Sequence, residues 1–449
     1  MGRNSQQRRA QKHRLHSRQR PLLGSGAAGA PTLDELIDVA CQFAHGPGAD
    51  KVVFGRAMAM LQGLEGEADP LDRPSTRVGQ VLSALTNSIL EGGWQPADVV
   101  HVVKREWTVR AGRLITGYLA DHARRHDAPT RAPHPWLAQL ADLGVVDVEQ
   151  SSVVGGRGDV LATWARAEKL HPEDALTGAV QVLAQVRRLP RLQVMMTPPS
   201  KWGATNRGLQ ATAGPTGTLD AKALKLIRAL LAKAEATTFE AEAEAFTTKA
   251  QELMTRHSID AAVLASAAAG ARTAAGVEAR RVHIDNPYAE EKATFLSAIA
   301  SVNGAKSIWV PHAGFCTVMG FPVDLQLTDL LFTSLLVQAT RASAAATAAD
   351  RYLSTPSFRR AFLIAFADRI AERLEAARRH VAAEAAQEYG SSLAPVLASR
   401  QAAVEAAYEE AFPNATTMRS RSLNAAGWHA GRAAADAADI GAGAAIAGG

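Results

Sequence analysis

The sequence predicts a mainly α-helical, multidomain protein: an N-terminal helical bundle, a central helical hairpin, and a C-terminal α+β domain with a small β-hairpin or three-stranded sheet. Three observations carry this reading. Hydrophobic residues make up 47% of the 449 but aromatics only 5%, so the cores must be built largely from Ala, Leu, Val and Ile, which suits packed helices. Strand-like runs appear only between Arg281 and Met319, while apolar steps of three and four recur elsewhere. A chain of this length accommodates two or three domains.

Residues 1–31 begin with Gln, Ser and basic side chains and almost nothing apolar, so they cannot bury a core and are expected to form a disordered basic arm. A helical domain is expected over 32–186. Thr32 with Glu35 has capping-box spacing, and Pro96 after Gln95 suits the first turn of a helix running through Val103. Leu114, Ile115 and Leu119 mark the next amphipathic stretch, and helices flank Pro172. Residues 187–218 turn rich in Pro, Gly, Thr and Ala and lose the helical period, which predicts a basic interdomain linker.

A helical hairpin is expected over 219–265. On its first arm, Leu224, Ile227, Leu231 and Ala234 share one face, with Lys222, Lys225 and Lys233 opposite and Arg228 at the border. Thr237 and Glu240 have capping-box spacing for the second arm, whose seam is Phe239, Ala243, Phe246, Ala250 and Leu253. So short a connection forces the arms antiparallel. A second linker, 266–279, precedes the α+β domain over 280–440. There, Arg281–Ile284, Ser307–Val310 and Phe315–Met319 read as strands, the last two joined at Pro311–Gly314. A helix from Tyr288 to Val302 is closed by Asn303-Gly304, and long helices start near Pro322, Ser357 and Val396. Residues 441–449 are expected to fray.

The run Lys225–Leu231, the pair Glu242-Ala243, and Lys249–Met254 followed by His257 and Ile259 resemble domain-of-unknown-function family 2786. The resemblance extends more loosely to the region from Arg281 onward and to the helices before the hairpin. It implies bacterial or phage origin but brings no activity, substrate or catalytic residue.

The net charge of +5 is unevenly spread. Arg3, Arg8, Arg9, Lys12, Arg14, Arg18 and Arg20 put seven positive charges and no acid in the first twenty residues; without them the 49 basic residues become 42, against 44 acidic. The linker adds Arg187, Arg188, Arg191, Lys201 and Arg207, again without an acid, and Trp202. Positive charge beside an exposed ring suits a nucleic-acid phosphate and a stacked base. The expected function is therefore a binding or adaptor protein with nucleic acid or an acidic protein surface as partner. The alternatives are an enzyme with its site in the C-terminal domain and a structural protein–protein interaction module.

Other signals are weaker. Gly24–Gly29 spells GxGxxG but lacks the preceding strand that a dinucleotide site needs, and Arg157-Gly158-Asp159 reads as a loop. His122 and His126 stand one turn apart, a spacing that can seat a metal, yet two arginines between them oppose a cation. His312 and Cys316 share a hairpin and are the nearest approach to a base–nucleophile pair. His257 is expected to bond the last carbonyls of its helix, and Glu242 and Lys249 to play structural roles. No cofactor or metal is expected. Cys41 and Cys316 lie too far apart in sequence to form a framework, and the apolar stretch Val323–Ala339 is short and holds Asp324 and Asp329. A cytoplasmic protein without a membrane span follows.

Overall fold

The computed structural model describes residues 31–46, 48–203, 221–236, 240–269, 276–349, 354–415 and 425–437. In chain order come helices α1 (Leu33–Ala44), α2 (Lys51–Glu67), α3 (Pro74–Glu91), α4 (Pro96–Glu106), α5 (Val109–Arg125), α6 (Ala128–Arg131) and α7 (His134–Asp142). A short hairpin, β1 (Val146–Asp147) and β2 (Ser152–Val153), precedes α8 (Val160–Ala167) and α9 (Pro172–Arg187). Then follow α10 (Ala221–Ala236), α11 (Glu240–Ala269), β3 (Glu278–His283), α12 (Ala289–Val302), β4 (Lys306–Val310) and β5 (Phe315–Gly320). The described chain closes with α13 (Pro322–Ala349), α14 (Pro356–Tyr389), α15 (Leu393–Ala411) and α16 (Ala425–Ala437). The mainly α architecture with a small sheet is as the sequence predicts.

Two compact units divide the chain: Met1–Leu82 with Lys169–Arg188, and Ser83–Glu168 with Leu189–Gly449. This division cuts through the expected helical domain, 32–186, because Ser83–Glu168 fall in the second unit, as does Leu189–Gly203 of the expected linker. In the first unit, Thr32 and Glu35 close the expected capping box, with Glu35 accepting from the Thr32 backbone at 2.8 Å. α1 buries Leu36, Ile37, Ala40 and Cys41 and packs against α2 and α9. Asp50 caps α2 by accepting from the amides of Val52 and Val53.

In the second unit, α4 and α5 pair through buried Val99, Val102, Val103, Leu114 and Ile115. The β1–β2 pairing, Val146↔Val153 and Asp147↔Ser152, was not expected; two-residue strands carry no readable alternation. Leu189–Gly203 is not a free linker. Leu192 donates its amide to the Gly92 carbonyl at 2.9 Å, the Trp94 indole donates to the Pro190 carbonyl at 2.8 Å, and Ser200 donates to Glu91 at 2.7 Å. Proline removes the helical period without preventing an extended segment from packing.

The hairpin α10–α11 lays Ile227, Leu231, Ala250 and Met254 into an apolar core shared with Phe295, Leu296, Phe362 and Phe366. Lys222, Lys225, Arg228 and Lys233 are exposed, and the Lys233 ammonium sits 5.3 Å from the Phe246 ring centre. The Thr237–Glu240 box, Phe239, Ala243 and the Glu242 and Ala234 side chains lie outside the described ones. α11 does not stop at His257: the Ala-rich run to Ala269 continues the helix, so the expected C-terminal capping role has no helix end to serve. Lys249 pairs with Glu252 at 3.0 Å on the surface.

The sheet has the order β3-β5-β4, all antiparallel, with β5 in the centre. Register places Val282 opposite Cys316 and Arg281 opposite Thr317, so alternate side chains leave on opposite faces. Cys316 and Val318 enter the apolar core; Phe315, Arg281 and His283 occupy the other face. Gly304, at φ +73°, follows Asn303 at the end of α12, and its conformation lets the Ala305 amide return to the Ala300 carbonyl at 2.9 Å.

Candidate binding groove and its polar floor

Asp98 lies in the first turn of α4, where its carboxylate accepts the Gln95 amide at 3.0 Å. That cap holds it rigidly, and α4 packs on β3. The carboxylate is 1% exposed and faces two cationic or ionisable side chains of the strand. Arg281, 2% exposed at its side chain, pairs with one oxygen, and His283 Nε2 lies 2.8 Å from the other. A carboxylate can only accept here, so Nε2 carries the proton.

Three further contacts fix the arrangement. The His283 ring stacks on His101 with centres 4.5 Å apart. His101 in turn donates from Nε2 to the Gly314 carbonyl at 3.0 Å. Burial, and then the His283 ring, hold His101 below the ordinary histidine range. The Arg281 guanidinium sits 4.9 Å from the Phe315 ring centre and donates to the Gln193 carbonyl at 3.2 Å. Gly314 sits at φ +70°, a left-handed conformation that favours glycine in this turn.

Of this network, Arg281 reaches a groove of about 680 Å³, which Gln95 and Gln193 also line. One wall is the segment Gln193–Met196; the other is β3 from Glu278 to Arg281, with Glu410 of α15 beyond it. β3 pairs with β5 alone among the described strands, and its residues Glu278 to Arg281 line the groove. Met195, Met196 and Met319 supply adaptable apolar surface. Gln139 braces the floor, donating to the Gln95 side-chain oxygen at 2.6 Å. Arg280 is 3.7 Å from Asp329 and Arg281 is paired with Asp98. Glu278 and Glu410 are exposed and have no cationic partner among the described residues, so the groove carries surplus negative charge.

The residues singled out in the sequence for nucleic-acid contact do not gather into one site. Arg3, Arg8, Arg9, Lys12, Arg14, Arg18, Arg20 and Arg207 lie outside the described residues, as does the GxGxxG run. Arg187 donates to Asp38 at 2.5 Å, and Arg188 to the His45 carbonyl at 2.6 Å, both within the first unit. Arg191 and Lys201 are exposed on the second unit. Trp202 is not the exposed ring the sequence suggested: it is 2% exposed, edge-on to Trp136 at 5.1 Å, and its indole donates to the Thr197 carbonyl. An apolar indole beside a folded helical surface gains more from burial than from exposure.

His122 and His126 do stack, 4.2 Å apart, beside Trp202. Among the described residues, no group of three or more His, Cys, Asp or Glu side chains is arranged to hold a metal. His312 is exposed in the turn while Cys316 is 1% exposed in the core, where burial pushes its thiol up to about 12. Strand alternation also puts Cys316 on the face opposite His283. No base–nucleophile pair forms from either histidine. The residues that do converge, Asp98, His101, Arg281 and His283, were missed or read singly, because 183 positions separate Asp98 from Arg281.

A family described as a protein of unknown function, DUF2786, matches residues 222–261. The match covers α10 and most of α11, and neither the groove nor its floor lies within it. No curated protein and no solved structure matches the chain.

Proposed function

We propose that this protein is a binding or adaptor protein that takes up an extended peptide segment of a partner, rich in basic and apolar side chains, along the free edge of β3. The observation that carries the proposal is that β3, with one edge unpaired among the described strands, lines a groove with methionine walls and two carboxylates, Glu278 and Glu410, that have no cationic partner among the described residues. Backbone pairing supplies affinity in strand addition, and alternate side-chain contacts supply selectivity. The buried Asp98–Arg281 pair fixes the strand against α4, so the edge is preorganised. No described helix is long and apolar enough to cross a membrane. We place the protein in the cytoplasm, a reading supported by two buried, unbonded cysteines.

Fluorescence anisotropy with labelled octapeptides tests this reading. A Lys/Val-alternating peptide binds, and a Glu/Val-alternating one does not. N-methylation of alternate amides, which removes the strand-pairing donors, abolishes binding. Glu278→Gln combined with Glu410→Gln weakens it by about tenfold, which corresponds to about 1.4 kcal/mol. Equal binding of the N-methylated or acidic peptide overturns the proposal.

The seven basic side chains and absent acids of residues 1–20 favour a second reading, phosphate contact with nucleic acid. A single-stranded oligonucleotide in the same assay checks it. Deleting residues 1–20 then flattens the salt dependence, whereas an unchanged slope removes this reading.

A further inference from the structure

A second cavity, remote in character from the groove, lies where the family-matched helix α11 meets α12, α14 and α15. We infer that it binds a small oxyanion: phosphate, either free or as the phosphoryl group of a larger molecule. Its volume is about 60 Å³, several times the ~10–15 Å³ that seats one water, so a four-oxygen anion fits in place of several waters. Thr255, Ser258, Asn303, Asp324, Arg378, Arg400 and Gln401 supply its polar lining.

The charge balance selects the sign of the ligand. Asp324, 4% exposed, accepts from Ser258 Oγ at 2.5 Å and from Arg400 Nη2 at 2.7 Å. One guanidinium is thereby neutralised and locked, with its face 3.8 Å from the Phe321 ring centre. Arg378 donates to the Val302 carbonyl at 2.8 Å and meets no carboxylate among the described residues. The cavity therefore retains one uncompensated positive charge. Thr255 accepts from the Gln251 amide at 3.2 Å, which leaves its own hydroxyl proton to donate. Two guanidiniums exclude a metal cation, and the polar lining disfavours an apolar guest. Planar guanidinium donors with a hydroxyl beside them match a tetrahedral oxyanion.

Because α11 supplies Thr255 and Ser258 and α14 supplies Arg378, an occupied cavity ties the hairpin to the C-terminal helices. Occupancy accordingly raises the melting temperature as free ligand exceeds its Kd.

Isothermal titration of the full chain with sodium phosphate, at ionic strength held constant with chloride, tests the inference, and a parallel titration with AMP separates its two sources. Saturable phosphate binding without AMP binding assigns the cavity to the free ion; binding of both assigns it to a phosphoryl group on a larger molecule. Arg378→Gln weakens phosphate at least about tenfold. Thr255→Val, nearly isosteric and independent of the Val302 contact, weakens it several-fold and serves if Arg378→Gln folds poorly. No saturable heat up to about 10 mM phosphate, or affinity unchanged in Thr255→Val and in a folded Arg378→Gln, overturns the inference. Peptide binding in the groove is read separately, so either proposal can fail alone.

Discussion

The two faces of the β3-β5-β4 sheet are held by different physics. On one, Cys316 and Val318 enter a core of phenylalanine, leucine and alanine supplied by α10 to α14 and α16. That face depends on shape and apolar burial, which tolerate many sequences. On the other, Arg281 and His283 meet Asp98 of α4, and a single misplaced partner leaves a charge stranded in low dielectric. The same strands thus present a forgiving side and an exacting one. The exacting side adjoins the groove.

Removing the shared carboxylate breaks that contrast most sharply. Asp98→Ala leaves the Arg281 guanidinium, already lacking a partner at Nε, buried without its counter-charge. The expected loss is about 3–5 kcal/mol in denaturant unfolding. Val318→Ala on the opposite face removes two methyl groups and is expected to cost about 2 kcal/mol. Combining Asp98→Leu with Arg281→Met, which removes both charges, recovers most of the loss. If Asp98→Ala proves milder than Val318→Ala, the polar face is not held by its ion pair.

The same asymmetry explains what was legible in the sequence. Helix pairs announced themselves through short-range signals: Pro96, the Thr32–Glu35 box, the Ile227–Leu231 stripe and the Asn303-Gly304 stop each act within one or two turns. Strands β3 to β5 were visible as β-branched and aromatic runs. The polar floor was not, because His101 and His283 look unremarkable until register and α4 packing bring them together. Composition also misled. A Pro-rich, acid-free segment resembled a free linker, yet Pro190 and Trp202 are anchored by indole hydrogen bonds and aromatic contacts. Helix α16 escaped notice because its glycines suppress helix propensity, although they are what lets it dock.

Acid sharpens the comparison, since protons act on the polar helices and not on the apolar core. Burial first, then neighbouring His126 and Arg125, push His122 down to about 3, whereas an unfolded histidine titrates near ~6.5. Below the unfolded value the unfolded chain takes up a proton that the folded chain refuses. Stability is therefore full above that pH and falls steadily as the pH drops towards the folded value. His101, lowered for the same leading reason, adds in the same direction. At about pH 4.5 the loss from His122 alone is ~2–3 kcal/mol. Denaturant unfolding of His122→Gln at about pH 7 and about pH 4.5 checks this. The gap between the two conditions should narrow by about 2 kcal/mol, and an unchanged gap places the acid sensitivity elsewhere.

The shape-held side calls for a probe that carries no charge. α16 docks on α14 through Gly431, where an added Cβ would lie 2.3 Å from the Phe362 carbonyl oxygen and 2.9 Å from the Ala365 Cβ. Both obstacles belong to rigid parts of a helix, so the helices must separate to admit a methyl group. Gly→Ala in a helix ordinarily gains up to about 1 kcal/mol in propensity, and overpacking costs typically about 1–3 kcal/mol. Gly431→Ala is therefore expected to be destabilising by about 1 kcal/mol net, equally at neutral and acidic pH because no titrating group lies at this contact. A stabilised variant shows that α14 and α16 have slack. A cost that changes with pH ties this contact to the surface pairs Arg369–Asp436 and Arg432–Glu372 that flank it, and not to the close approach of the two backbones.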